Sequence, residues 1–142
     1  MKKVITFGTY DLLHVGHVRL LKRAAALGDK LIVGVSSDEL NMSKKDRPPV
    51  YPTDHRLEIV NALQFVDEVF VEHSLEDKGK YIKEHGADIL VMGDDWAGKF
   101  DEFNELCQVV YLSRTDGIST TQLIEIISDE DAGLSPRVVE HV

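Results

Sequence analysis

The chain has 142 residues and a formal net charge of −9, and 43% of its residues are hydrophobic. This length suits one domain, and so much apolar material excludes a disordered chain. The negative charge argues against a nucleic-acid partner, because binding to a phosphate backbone needs clustered positive charge.

The first half of the chain alternates strand and helix patterns. The apolar run Lys3–Gly8 predicts a buried strand, and a helical stripe of apolar residues follows from Leu13 to Leu27. Lys30–Ser36 predicts a second strand. Residues 38–54 contain three prolines and three basic residues, so we expect a mobile loop there.

The alternation continues in the second half. Thr53 and Asp54 are typical helix caps, and apolar runs again alternate with helical periodicity. The predicted elements are a helix from Thr53 to about Gln64, strands at residues 67–72, 87–93 and 107–112, and helices at Leu75–His85 and Gln122–Ser128.

Strands that alternate with helices predict an α/β fold with a doubly wound, Rossmann-like parallel sheet in a single domain. We expect this domain to cover residues 1–128, followed by a tail at 129–142. In such folds the site lies beyond the carboxyl ends of the strands, where the strand order reverses. Four unusual segments follow predicted strands and should meet there, namely residues 8–17, 36–47, 93–99 and 113–121.

The location of the protein is expected to be cytoplasmic. Cys107 is the single cysteine, so no disulfide forms within the chain. Met1 leads straight into a strand-like run, without a leader or an apolar membrane span. We therefore expect no membrane partner.

The segment GTYDLLHVGH places His14 and His17 about one helical turn apart, with Gly16 between them. One interpretation is a pair of core or capping histidines, and a second is a zinc site, which lacks further ligands at suitable spacing. The third is contact with phosphate, because a helix amino terminus favours anions. Gly16 favours the third, since glycine suits a close approach to the backbone.

GTYDLLHVGH, together with RTDGISTT about a hundred residues later, resembles the small cytidylyltransferases of the nucleotidyltransferase superfamily. The likeness is greatest to the bacterial glycerol-3-phosphate cytidylyltransferases and runs from Met1 to about Ser128, with VMGDDWAGKFDEF as a further match. It implies that a phosphate monoester attacks the α-phosphorus of CTP and displaces pyrophosphate. It also implies Mg²⁺ as cofactor, a small phosphorylated acceptor and a homodimer.

The resemblance implies three sets of site residues. The catalytic set is His14, His17, Lys44 and Arg114. The nucleotide-binding set is Thr9, Tyr10, Asp11, Gly16, Arg56, Asp94, Trp96, Thr115, Gly117, Ile118, Ser119 and Thr120, with Asp11 also a candidate magnesium ligand. The acceptor-binding set is Asp38 and Gln64.

Several of these residues have simpler explanations in the sequence. Ser119 and Thr120 are ordinary helix caps, and Asp11 suits a turn. Arg56 lies on the inward stripe of its helix, and a buried arginine needs an anion, either a ligand phosphate or a carboxylate. Lys44 belongs to a basic loop that is either solvated or closes over the triphosphate.

The likeness is weaker on the acceptor side. The glycerol-phosphate enzymes have a basic residue at the position of Gln64 and a tryptophan near Leu75, and both are replaced here. Another polyol phosphate, a phosphorylated amino alcohol or an amino-acid amide therefore stays open as acceptor. Relatives that use ATP, such as FAD synthetases, and a non-catalytic nucleotide-binding module are further alternatives.

Overall fold

The computed structural model describes residues 1–45 and 47–129. The tail expected at 129–142 lies outside the described residues except for Asp129. In this part of the chain, no helix combines the length and the apolar character needed to cross a bilayer.

Within the described residues, strands and helices alternate almost throughout. The strands are β1 (Lys3–Gly8), β2 (Lys30–Ser36), β3 (Glu68–Glu72), β4 (Ile89–Gly93) and β5 (Gln108–Leu112). The helices are α1 (Val15–Ala25), α2 (Asp38–Lys45), α3 (Thr53–Asn61), α4 (Lys78–His85) and α5 (Thr120–Ser128), with 3-10 helices at Asp94–Trp96 and Asp101–Glu105.

The sheet has the order β3-β2-β1-β4-β5, and every pair of neighbouring strands is parallel. The order reverses beside β1, because β2 pairs with one edge of this strand and β4 with the other. Successive β1 residues feed two apolar cores, with Val4 in one and Ile5 in the other. The predicted α/β, Rossmann-like, doubly wound sheet is confirmed.

Three helices begin away from their predicted first residues. α1 was expected from Leu13 but begins at Val15, because His14 caps it and its side chain accepts the N–H of Gly16. α4 begins at Lys78 rather than Leu75. α5 begins at Thr120, since the Ser119 hydroxyl accepts the N–H of Gln122 as a cap.

The mobile loop predicted for residues 38–54 is wrong for its first half, where α2 forms. Acidic residues occupy the first turn of this helix and lysines the last, which complements the helix dipole. The prolines come only after the helix has ended. α3 then begins at Thr53 without a side-chain cap and ends at Asn61, short of Gln64.

Candidate active site

A cleft opens at the carboxyl edge of the sheet, where the strand order reverses between β1 and β4. Its walls come from the β1–α1 turn, the segment after α2, the end of β4 and the start of α5. The predicted residues that line it are Thr9, Tyr10, Asp11, His14, Gly16, His17, Trp96, Arg114, Thr115, Ile118, Ser119 and Thr120.

The two histidines form a reciprocal cap at the start of α1. His14 Nδ1 accepts the N–H of Gly16 at 3.0 Å, and His17 Nδ1 accepts the N–H of His14 at 3.1 Å. The rings stack with their centroids 3.8 Å apart. Because each Nδ1 must present a lone pair, each neutral ring carries its proton on Nε2. Neither Nε2 has a hydrogen-bond partner among the described residues.

Both imidazoles are held neutral at physiological pH. Burial, and then the Arg114 guanidinium, lower the pKa of His14. Burial, and then electrostatic repulsion by His14, Arg114 and Lys45, lower the pKa of His17 to about 3. The pair therefore offers two N–H donors at a helix start without being imidazolium ions.

The depressed pKa of His17 makes acid unfolding depend on this residue. An unfolded histidine takes up a proton near pH 6.5, whereas folded His17 does so only near pH 3. Its contribution to stability is therefore full above about pH 6.5 and is lost as the pH falls toward 3. We expect the urea midpoint of His17→Gln to fall less than that of the wild type between pH 7 and pH 4.

The matched control for this experiment is His55→Gln, which changes an exposed histidine of α3. It should keep the wild-type dependence of the urea midpoint on pH. An equal fall in the wild type and in His17→Gln would contradict the neutral, buried state of His17.

Gly16 is required by the position of the His14 ring. A Cβ at residue 16 would lie 2.8 Å from His14 Cε1 and 2.9 Å from its Nδ1. Real Cβ atoms do not approach other atoms so closely, so any larger residue would displace the imidazole. Gly16 thus fulfils the predicted requirement for a close approach, here to the capping ring.

Tyr10 lies behind the histidines in an unusual conformation. Its φ is 54°, it is buried, and its ring packs edge-on against His17 at 5.6 Å. Its hydroxyl lies near Thr6 but makes no hydrogen bond with any described residue, and the Thr6 hydroxyl donates its own proton to Val91 O at 2.6 Å. Burial raises the pKa of this phenol, so it stays protonated.

Removing the Tyr10 hydroxyl should therefore stabilise the protein. We expect Tyr10→Phe to raise the free energy of unfolding by about 1 kcal/mol, since a buried donor without a partner is costly. Urea denaturation measures the change. Tyr111→Phe is the matched control, because that hydroxyl donates to Asp101 at 2.8 Å and accepts the Phe100 N–H at 2.9 Å. It should lose about 1 kcal/mol, and a similar loss in Tyr10→Phe would contradict the unpaired state.

Cations gather around the cleft although the chain is acidic overall. Lys45, Arg47 and Arg114 line it. Asp95 also lines it and lies 3.7 Å from the Arg114 guanidinium, with both side chains about half exposed. An exposed pair of this kind is weak, so Arg114 can exchange Asp95 for a more highly charged anion.

Arg56 was predicted in the nucleotide site, but the structure places it behind the cleft with all its donors used. Nε donates to Tyr51 O, and one terminal nitrogen donates to Thr9 O and Ser36 O. The other donates to Asp38 Oδ1 at 2.8 Å and to the Thr53 hydroxyl. Arg56 is fully buried and pairs with Asp38. Of the two anions considered from the sequence, a ligand phosphate and a carboxylate, the structure therefore shows the carboxylate.

Asp38, predicted to bind the acceptor, serves this same network. Its second oxygen accepts the Thr53 N–H at 3.2 Å. Burial alone would raise the pKa of Asp38, but the hydrogen bonds from Arg56 and Thr53 outweigh it and lower the pKa. The carboxylate thus acts as the ionised partner of a buried arginine.

Asn41 is a cleft residue that the sequence analysis missed. It is 1% exposed, and its Oδ1 accepts the Thr9 hydroxyl at 2.8 Å. Its amide donates to Ser36 and Ser37. The network ties α2 to the turn after β1, and no sequence motif marks it because its partners are scattered along the chain.

Four further residues that were predicted to belong to the site do not line the cleft. They are Lys44, Asp94, Gly117 and Gln64. Lys45 and Asp95, their neighbours in sequence, line it instead of Lys44 and Asp94. Gly117 has the positive φ expected of a tight path, at 80°. Gln64 is exposed after α3, and this crossover helix has by then returned to the amino edge of the sheet, opposite the cleft.

A second charged group, also missed, lies beside the cleft on the β3 side. Lys78 is 2% exposed and pairs with buried Glu72 at 2.6 Å, above the Phe7 ring at 4.0 Å. Lys44 lies within electrostatic reach of this pair, and burial is the main cause that lowers the pKa of Lys44. In the sequence, Lys78 belongs to an ordinary charged run.

The donor set does not fit a metal ion held by the protein. The Asp11 carboxylate, the candidate magnesium ligand, accepts the Val50 N–H on one oxygen and the Tyr51 N–H on the other. Among the described residues, no group of three or more His, Cys, Asp or Glu side chains could hold a metal.

Comparison with known proteins agrees with this geometry. Residues 5–126 match a family model described as cytidylyltransferase-like. The chain is 51% identical to a glycerol-3-phosphate cytidylyltransferase from Bacillus subtilis, over 94% of this chain and 100% of the relative. It is 43% identical to one from Staphylococcus aureus, over 93% and 99%.

A solved structure supports the fold. The lipopolysaccharide core biosynthesis protein from Thermoplasma volcanium superposes with a TM-score of 0.72 at 30% identity. The match covers 82% of this chain and 99% of that protein.

Proposed function

Because this chain belongs to the cytidylyltransferase-like family, we propose that it transfers CMP from CTP to glycerol 3-phosphate, a small phosphate monoester, and releases pyrophosphate. The identity of 51% over the whole length of a relative with this activity supports the proposal. The acidic chain presents a local group of cations at the cleft, as a triphosphate requires.

The reaction needs charge stabilisation rather than proton transfer. Near pH 7 a phosphate monoester is largely a dianion, since its second pKa is about 6. One of its oxygens attacks the α-phosphorus, a new P–O bond forms, and the bond to the bridging oxygen of the β-phosphate breaks. The electron pair leaves with pyrophosphate. The side chains must therefore stabilise negative charge that spreads over the phosphoryl oxygens.

A single observation carries this proposal, namely the two stacked imidazoles with their Nδ1 atoms locked on backbone N–H groups. This arrangement fixes two Nε2–H donors before any substrate arrives, so no reorganisation is needed during the reaction. Arg114 and Lys45, which both line the cleft, add positive charge.

The acceptor phosphate brings negative charge in addition to that of the triphosphate, and this charge needs a cation of its own. Lys44 suits this role, because it is next to Lys45 of the cleft lining and within electrostatic reach of the Glu72–Lys78 pair beside the cleft. We assign to Lys44 the acceptor phosphate rather than the triphosphate. Gln64 and Asp38 are given no part in acceptor binding, because one lies at the opposite edge and the other is engaged by Arg56.

Magnesium is proposed to enter with the nucleotide, coordinated by phosphate oxygens as is usual for this ion. No step of the reaction is assigned to it, since the protein offers no ligand cluster within the described residues. The homodimer and the cytoplasmic location stay predictions.

The experiment is an assay of pyrophosphate release with CTP, Mg²⁺ and a panel of acceptors. The panel holds glycerol 3-phosphate, a second polyol phosphate, a phosphorylated amino alcohol, a phosphorylated amino-acid amide and FMN, each tested with CTP and with ATP. We expect kcat/KM to be at least about tenfold higher for CTP with glycerol 3-phosphate than for any other pair. His17→Asn is the control for contaminating activity.

Two outcomes would refute the proposal. Faster turnover of ATP with FMN would make the protein an FAD synthetase. CTP binding without release of pyrophosphate in the presence of any acceptor of the panel would make it a nucleotide-binding module.

A further inference from the structure

The Asp11 carboxylate is buried, and both of its oxygens accept hydrogen bonds from the backbone. It is 6% exposed, and it accepts the N–H of Val50 on Oδ2 at 2.7 Å and the N–H of Tyr51 on Oδ1 at 2.9 Å. Hydrogen bonds to an ionised carboxylate are among the stronger ones in proteins. Both oxygens therefore hold the backbone, and a metal ion at Asp11 would have to share this one carboxylate with two N–H donors.

The backbone of Asp11 makes a third connection. Its carbonyl oxygen accepts the Thr120 hydroxyl at 2.8 Å, from the first residue of α5. Asp11, which lies in the turn before α1, thus contacts two of the other three segments that form the walls of the cleft, namely residues 47–51 and the start of α5.

The backbone on both sides of Asp11 has an unusual conformation, which orients the Asp11 side chain. Tyr10 and Leu12, on either side of Asp11, have φ values of 54° and 49°. Positive φ values are rare for residues other than glycine, and bulky residues adopt them only where surrounding contacts impose this backbone conformation. The hydrogen bonds of Asp11 with Val50, Tyr51 and Thr120 are such contacts.

Residues 47–51, called here the strap, form part of the cleft wall. Arg47, Pro48 and Pro49 line the cleft, while Val50 and Tyr51 are exposed apart from their bonds to Asp11. The two prolines restrict the backbone between the anchored amides and Arg47. The hydrogen bonds that hold Val50 and Tyr51 therefore also fix the position of the Arg47 backbone.

We propose that Asp11 is a positioning residue that holds the strap against the nucleotide cleft, so that Arg47 meets the triphosphate, and that Asp11 does not bind magnesium. This inference rests on the proposed function for the identity of the ligand. The anchoring of the strap itself is independent of any substrate.

The test compares wild type with Asp11→Asn in two measurements. Amide hydrogen exchange at Val50 and Tyr51, without nucleotide, should rise at least about tenfold, because the charged acceptor is lost. In steady state, the KM for CTP should rise at least about tenfold with a smaller change in kcat, since Arg47 would bind ground and transition states alike. The Mg²⁺ concentration for half-maximal activity should not change.

Asp88→Asn is the matched control, because Asp88 also accepts a distant backbone N–H, that of Lys3 at 2.9 Å, but at the amino edge of the sheet. It should leave exchange at Val50, exchange at Tyr51 and the KM for CTP at wild-type values. If Asp11→Asn does not fold, Val50→Pro removes one of the two N–H donors while keeping Asp11, with Val50→Ala as its control. The proline variant should raise the KM for CTP and the alanine variant should not.

Three results would overturn the inference. Unchanged amide exchange in Asp11→Asn would show that the carboxylate does not hold the strap. Faster exchange with an unchanged KM for CTP would show that the strap does not serve nucleotide binding. A raised Mg²⁺ requirement with unchanged exchange would make Asp11 a metal ligand. Failure of the proposed function would appear separately, as no pyrophosphate release by the wild type.

Discussion

Replacing His17 with alanine is expected to lower kcat by about 10²–10³-fold while the Kd for CTP stays within about tenfold of the wild-type value. The reason is that the Nε2–H donor is preorganised for charge that develops only in the transition state. Steady-state kinetics with saturating acceptor give kcat, and calorimetric titration with CTP gives the Kd.

His17→Asn separates this donor from the capping role of the same ring. His17 Nδ1 accepts the N–H of His14, so alanine also removes a cap at the start of α1. Asparagine keeps an oxygen acceptor near the place of Nδ1 but has no donor near the place of Nε2. We expect His17→Asn to lose as much turnover as His17→Ala with a smaller loss of stability. Near-normal turnover in either variant would mean that the stacked rings only cap and pack.

Replacing Arg56 with leucine should lower the free energy of unfolding by about 3–5 kcal/mol. The substitution leaves the Asp38 carboxylate without its guanidinium partner and removes the donors to Tyr51 O, Thr9 O and Ser36 O. Buried acceptors without donors, and a carboxylate without its cation, are among the costliest defects in a folded protein. Urea denaturation, monitored at two wavelengths, measures the change.

Arg19→Leu is the matched control, since Arg19 is exposed on α1, and it should change stability by less than about 0.5 kcal/mol. Arg56→Lys should fall between the two, because an ammonium group has three donors where this network uses five. If Arg56→Leu lowered the free energy of unfolding by less than about 1 kcal/mol and greatly raised the KM for CTP, Arg56 would be a nucleotide-binding residue after all.

The strands could be predicted because each is a nearly continuous apolar run, as expected for parallel strands buried on both faces. The start of α1 could not, because a side-chain contact with the backbone decides it. His14 is not a common cap, and it becomes one here only because its Nδ1 reaches the Gly16 N–H. α2 was missed because the prolines that follow it dominate the composition of the segment.

The cleft was predicted best where its residues are contiguous in sequence, in residues 8–17 and 113–121. Prediction failed where a residue depends on a distant partner. Sequence alone indicated that Arg56 needs an anion, but only the packing of α2 against α3 selects Asp38 as that anion. Asn41 and the Glu72–Lys78 pair have no local signal, because their partners lie on other elements.

The hydrogen bond from Thr120 to Asp11 O joins residues 109 positions apart. Both imidazoles lie near one end of the described chain, and Arg114 and α5 lie near the other. A complete cleft therefore exists only after these two parts have come together, and a nucleotide that needs the whole cleft binds after that step. CTP in the cell instead stabilises molecules that have already finished folding, by mass action.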